Sequence, residues 1–254
     1  MSLVLEYLPT SLDKLLKSEC ASANMTPQAV QRIMLGFLKG VEYLHAQGIC
    51  HRDIKPHNLL VDLPNDRVKL CDFGCAKRIN PNEPNIQYIC ARYYRAPEIT
   101  LGWSHYGTPI DIWSVGCVLA EMLRHGKPLF TGKNSIDQWG RIVKVLGAPT
   151  AEEFMAMGQE ARKRPSSTEP LSRKERVEAL GKVVPVGSED ALSLLVALFE
   201  YDPRKRIKAS DVLLHSYILA PAAPLKSAAI MHSADHNILS TLDYSNDRNP
   251  KAAM

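Results

Sequence analysis

The run His51-Arg52-Asp53-Ile54-Lys55-Pro56-His57-Asn58 constrains this chain more than any other segment, because a short returning element and a second polar motif come immediately after it. Leu59-Leu60-Val61 and Val68-Lys69-Leu70 are short apolar runs on either side of the turn residues Pro64-Asn65-Asp66, a pattern that reads as a hairpin. Asp72-Phe73-Gly74 comes directly after it. A hairpin returns the chain to where it started, so Asp72 is expected beside the polar residues of 51–58.

Around that hairpin the pattern is mainly helical. Residues 3 to 5 read as a short apolar strand end, and Glu6-Tyr7-Leu8-Pro9 turns out of it into a helix starting near Ser11. Thr26 and Pro27 form an N-cap and first-turn pair, and Val30, Ile33, Met34, Phe37, Leu38, Val41 and Leu44 follow at helical spacing. From Asp111 to Arg124 the helix pattern is apolar on most faces, which predicts a central buried helix. Ser135 to Leu146 is another helix, ended by Gly147 and Pro149. Residues 158 to 187 are polar with scattered Pro and Gly and read as an irregular insert. Ser188, with Glu189 and Asp190 in the first turn, caps a further helix. Beyond about Pro221 apolar periodicity fades, and a loosely attached tail is expected.

Composition excludes several classes. With 254 residues, 45% of them apolar and 23% charged, the chain can bury one large core or two small ones. The net charge of +4 is spread over both signs. Arg162-Lys163-Arg164 and Arg173-Lys174 with Arg176 lack interleaved aromatics, so they read as solvated loops and no nucleic-acid partner is expected. The six cysteines form no C-x-x-C pair and read as reduced thiols. No signal peptide or spanning segment is expected, since Met1 to Glu6 lack a basic start and an apolar centre and the longest apolar stretch, near Trp113 to Leu123, is too short. The expectation is a protein without membrane partners, in the cytoplasm and with the nucleus as a second compartment.

Taken in order, residues 51–58, Asp72-Phe73-Gly74 and Ala96-Pro97-Glu98 resemble the catalytic loop, metal loop and activation segment of eukaryotic protein kinases. Longer runs are similar to glycogen synthase kinase 3: Tyr88-Ile89-Cys90-Ala91-Arg92-Tyr93-Tyr94-Arg95-Ala96-Pro97-Glu98, the stretch from Ile110 to Glu121, and Lys144-Val145-Leu146-Gly147-Ala148-Pro149-Thr150. The resemblance covers roughly residues 3 to 150 and 188 to 218.

The resemblance implies transfer of the γ-phosphate of ATP to protein serine or threonine, with ATP and Mg2+ as cofactors. Such a transfer needs an aligned hydroxyl, neutralised phosphate charge and a place for one proton. On the family pattern Asp53 takes that proton and Lys55 reaches the transferring phosphate, while Asn58 and Asp72 offer the oxygen ligands magnesium requires. Leu5 matches the gatekeeper, Glu6 and Leu8 the hinge, and Leu60 and Cys71 the apolar floor of the ATP site. Cys71 also presents a thiol to reactive inhibitors. Tyr88 matches the activating phosphotyrosine, with Arg92 and Arg95 near enough in sequence to pair it. Arg52 and Lys77 match two of the three basic residues that hold the phosphate of a primed substrate. Asp111 matches the residue that braces the catalytic loop, and Arg206 the partner of Glu98.

Each residue has a plainer reading: an Asp-Phe-Gly is often a turn, an Asp-x-Lys pair a surface ion pair, Arg52 a loop brace and Lys77 a solvated lysine. Their order and spacing together favour the kinase reading. The pattern departs from the family in one large respect, because no G-x-G-x-x-G, no V-A-x-K strand and no partner glutamate helix occurs. The expected fold is therefore α+β and mainly α, the C-terminal lobe of the protein-kinase-like fold with the β-rich N-terminal lobe missing. Residues 1-10 would be the hinge segment, 11-220 the lobe with an insert at about 151-187, and 221-254 the tail. Partners would be protein substrates, among them primed ones, and a scaffold protein. The rival reading is a catalytically inactive fragment that binds substrates or scaffolds.

Overall fold

The computed structural model describes residues 4–20, 24–80, 83–86, 89–158, 169–185 and 188–219. The basic run 162–164, Tyr88 and the tail beyond 219 lie outside them.

Two small sheets frame the first half. Strands β1 (Thr10–Ser11), β3 (Leu59–Asp62) and β4 (Arg67–Leu70) form one antiparallel sheet in the order β1-β3-β4. The hairpin is the expected one, with Leu59 opposite Leu70 and Asp62 opposite Arg67. Its turn closes on Asp66, in the left-handed region at φ 52°, which a short polar side chain tolerates. The second sheet pairs β2 (Ile49–Cys50) with β5 (Lys77–Arg78). Val4 and Leu5 are not in a strand: they are 95% and 74% exposed and have no strand to pair with among the described residues. Apolar residues alone do not make a strand when the ladder hydrogen bonds have no partner.

Helix α1 (Leu12–Lys17) starts where Ser11 caps it. Helix α2 (Pro27–Ala46) is capped by the Thr26 hydroxyl, which accepts from the Ala29 amide, and buries the expected stripe from Val30 to Leu44. After a single turn, α3 (Pro97–Thr100), comes α4 (Pro109–Leu123), buried from Ile110 through Met122. Gly116 has a packing reason, since a Cβ there would stand 2.8 Å from the Phe199 ring. Trp113 gathers Phe130, Phe199 and Tyr201 at ring-centroid distances of 6.0, 5.0 and 6.2 Å. Such aromatic pairs add about 0.5–1.5 kcal/mol each beyond their area burial, so α4, which packs on α2, carries an aromatic centre of the core.

Helices α5 (Ser135–Leu146), α6 (Ala151–Ala156), α7 (Arg173–Val183) and α8 (Glu189–Leu198) follow, then the short α9 (Ala209–Val212) and α10 (Ser216–Leu219). Helix α7 corrects the expectation of an irregular insert. Ser172 and Glu175 form a reciprocal capping box, and Leu180 and Val184 are fully buried. Arg176 is not a solvated loop residue either: it is buried, bonds Glu153 at 2.9 Å, and lies over the Tyr201 ring at 5.1 Å. Its single charge pairs across helices, which a reading of local composition does not register. None of the described helices is long and apolar enough to cross a membrane. All six cysteines are free thiols.

Candidate active site

The loop after β2 is held from below by one carboxylate. Asp111, at the start of α4, accepts the His51 amide at 2.8 Å and the Arg52 amide at 2.9 Å, one on each oxygen. His45, near the end of α2, meets the same carboxylate at 3.0 Å. Burial alone would raise the Asp111 carboxyl, but the hydrogen bond and charge of His45 and the two loop amides outweigh it and hold its pKa below the ordinary value. Two backbone donors on one fixed anion set the local path, in which Arg52 takes φ 66°.

His51 then ties this loop to the strand β4 end. Its Nε2 donates to the Cys71 carbonyl at 3.1 Å and its Nδ1 accepts the Asp53 amide at 3.3 Å. Burial lowers its pKa, so the ring is the neutral tautomer that these two bonds require. The Cys71 amide donates to the Asn58 carbonyl at 2.9 Å, which places Asn58 and Asp72 at the same end of the hairpin.

At that end the polar groups converge. Lys55 Nζ donates to Asp53 Oδ2 at 2.6 Å, and Asn58 Nδ2 donates to the same oxygen at 3.0 Å and to the Asp53 carbonyl at 2.8 Å. With its amide nitrogen so committed, Asn58 keeps its side-chain carbonyl Oδ1 as the atom for other use. Asp72 is an exposed carboxylate in the left-handed region at φ 63°, and its Oδ1 accepts only the Gly74 amide, at 3.3 Å, among the described residues. One amide oxygen and one lightly bonded carboxylate are a donor set that fits a hard cation such as magnesium.

The residues expected around a nucleotide are partly assembled. Leu60 lies in β3, opposite Lys69 and beside Ser11 of β1. Glu6 is drawn to the same sheet by Arg67 and Lys69, each at 3.3 Å, and Leu8 is buried. Leu5 and Phe73 are both exposed, and the Phe73 ring meets that of His51 edge-on at 5.1 Å. Cys71 is half-buried, and burial and then the charge of Asp72 raise its thiol pKa. That opposes thiolate formation and so argues against the thiol reactivity expected of it.

Arg52 and Lys77 fall in one cluster. Arg52 Nε donates to the Cys75 carbonyl at 2.5 Å and its NH1 to the Tyr106 hydroxyl at 3.3 Å. Lys77 Nζ donates to Asn85 Oδ1 at 2.8 Å, and Asn85 in turn donates to the Tyr106 carbonyl. Neither cation has a carboxylate partner among the described residues. Arg92 and Arg95, expected near Tyr88, donate to carbonyls: Arg92 to Lys133 at 2.7 Å, and Arg95 to Ile89 at 2.8 Å and Cys90 at 2.9 Å. The expected clamp on Glu98 is formed, with Arg206 bonding both its oxygens at 2.8 and 3.1 Å.

Sequence reasoning missed His45, which had no signal beyond ending an amphipathic helix. It also missed the buried pair in which Tyr94 donates to Glu121 Oε2 at 2.7 Å.

A family model described as the protein kinase domain matches residues 1–218. The chain is 40% identical over 220 residues to glycogen synthase kinase 1 of Pyricularia oryzae, covering 85% of the chain and 54% of that protein. It is 42% identical over 227 residues to protein kinase gsk3 of Schizosaccharomyces pombe, covering 85% and 55%. To serine/threonine-protein kinase RIM11/MSD1 of Saccharomyces cerevisiae it is 40% identical over 219 residues, covering 85% and 57%. The chain spans about half the length of these curated relatives.

Proposed function

The chain belongs to the protein kinase family, and from that premise we propose that the full-length protein is a serine/threonine kinase similar to glycogen synthase kinase 3. One observation carries the reading: Asp53, Lys55 and Asn58 share hydrogen bonds on a single carboxylate oxygen, at the hairpin end that also bears Asp72. ATP with magnesium, when bound, supplies the phosphoryl group and neutralises its charge.

The chain's own residues then have distinct tasks. Asp53 orients the substrate hydroxyl and accepts its proton, with a carboxylate whose position Lys55 and Asn58 fix through Oδ2. Asn58 Oδ1 and Asp72 are the groups that would hold the cation. Lys55 lies close enough to pass from Asp53 to a substrate phosphate. Leu5, Glu6, Leu8, Leu60 and Cys71 would face the adenine. Arg52 and Lys77, two neighbouring cations without carboxylate partners among the described residues, suit a substrate already carrying a phosphate, because charge-assisted bonds hold a dianion strongly. A cytoplasmic and nuclear location belongs to the same reading.

The test is phosphate transfer by full-length protein to a primed serine peptide. Asp53→Asn and Asp72→Asn should each lower the rate about 10²- to 10⁴-fold. Wild-type turnover in either variant would refute the assignment.

A further inference from the structure

A cavity of about 400 Å3 opens between the C-terminal end of α2, the start of α4 and the segment leading into α9. It shares no residue with the catalytic, nucleotide, metal or priming sets. Pro109, Ile112, Pro203 and Ile207 give it an apolar wall. Its charged residues are unbalanced, with His45, Arg204, Arg206 and Lys208 against the single acid Glu42. Two of the basic groups are committed inward, Arg206 to Glu98 and His45 to Asp111. The other two stand outward: Arg204, 75% exposed, shares Asp202, and Lys208 is exposed with no carboxylate partner among the described residues. A cavity of this volume, apolar and with a few charges at one side, has the make-up of a small-molecule site.

Its back wall distinguishes it from an ordinary cleft. From His45 one hydrogen bond leads to Asp111, and one more from Asp111 leads to the amides of His51 and Arg52. From Arg206 one bidentate contact leads to Glu98, and another bond to the Pro109 carbonyl. Both buried braces of the candidate active site therefore end on this cavity.

We propose that the cavity binds a small apolar acid, its hydrocarbon body against Ile112 and Ile207 and its anionic group at Lys208 and Arg204, and that occupancy is coupled to the loop 51–58 through His45 and Asp111. The coupling requires only that the ligand contact differ between arrangements of the His45 side chain. This goes beyond the kinase reading and does not depend on it.

The probe is 2-naphthoate, titrated into the 254-residue chain by calorimetry. A ligand of that size, at ordinary efficiency, binds with a dissociation constant on the order of 1 mM. Lys208→Glu, which reverses the charge at the rim, should weaken binding at least about 10-fold. Ala46→Trp, at an exposed position lining the cavity, should abolish it. Unchanged melting temperatures would show that both variants fold. Under saturating probe, the amide hydrogen exchange of His51 and Arg52 should change, because Asp111 holds both. Equal binding by all three proteins, or no binding at about 10 mM, would overturn the site. Binding without any change at those two amides would overturn the coupling. Neither readout involves phosphate transfer, so their failure is distinct from failure of the proposed activity.

Discussion

Replacing Glu98 by Ala should be costly to this fold, and the reason lies in what it leaves behind. The Arg206 side chain is 0% exposed and that of Glu98 1%. Arg206 donates to Glu98 twice, and to the carbonyls of Glu200 and Pro109 at 2.8 Å each and of Tyr201 at 3.4 Å. Removing the carboxylate leaves a guanidinium charge buried among neutral acceptors, with Trp113 at 5.3 Å as its remaining neighbour of note. An unpaired buried charge of this kind costs about 3–5 kcal/mol. In a domain of this size that corresponds to a fall in melting temperature of roughly 6–20 °C. The assay is urea and thermal unfolding, followed by tryptophan fluorescence, of wild type, Glu98→Ala, Arg206→Met and the double variant. The double variant should be more stable than the sum of the single losses implies, because it removes both charges together. A Glu98→Ala protein within about 1 kcal/mol of wild type, or strictly additive losses, would refute the argument.

Three further outcomes are expected from other parts of the molecule. Burial raises the Glu121 carboxyl from 4.5 to about 7, although the Tyr94 hydroxyl donates to it; the folded state then holds a proton that the unfolded state releases, so this group's contribution, roughly 3 kcal/mol, is present below pH 4.5 and is lost as pH rises through about 7, and Glu121→Gln should flatten the melting profile across that window. Ser172→Ala should destabilise the fold by about 0.5–2 kcal/mol by opening the capping box of α7, whereas an irregular segment would show no loss in chemical denaturation. Tyr88 should carry phosphate in full-length protein prepared with ATP, and mass spectrometry that finds it unmodified in an active preparation would remove the phosphosite assignment.

Much of the fold was legible because its signals are local. Thr26 and Pro27 announce the start of α2, Gly147 ends α5, and Ser188 opens α8, each through a backbone group that the same few residues satisfy. The hairpin was legible too, and with it the meeting of Asn58 and Asp72, because a turn of a few residues forces the ends of its strands together. Motif order and spacing also singled out Asp53 and Lys55, which share a hydrogen bond, and Arg206, which pairs with Glu98. Tertiary structure decided what depends on distant partners. Val4 and Leu5 are apolar yet in no strand, because strand formation needs a neighbouring ladder and none pairs with them among the described residues. Arg176 looked like surface charge until Glu153, 23 residues away, and Tyr201 enclosed it. His45 gained its role only when α4 brought Asp111 within 3.0 Å. A charge's partner, and therefore whether it braces the fold or is merely solvated, is set by packing between elements, and no window of neighbouring residues contains that information.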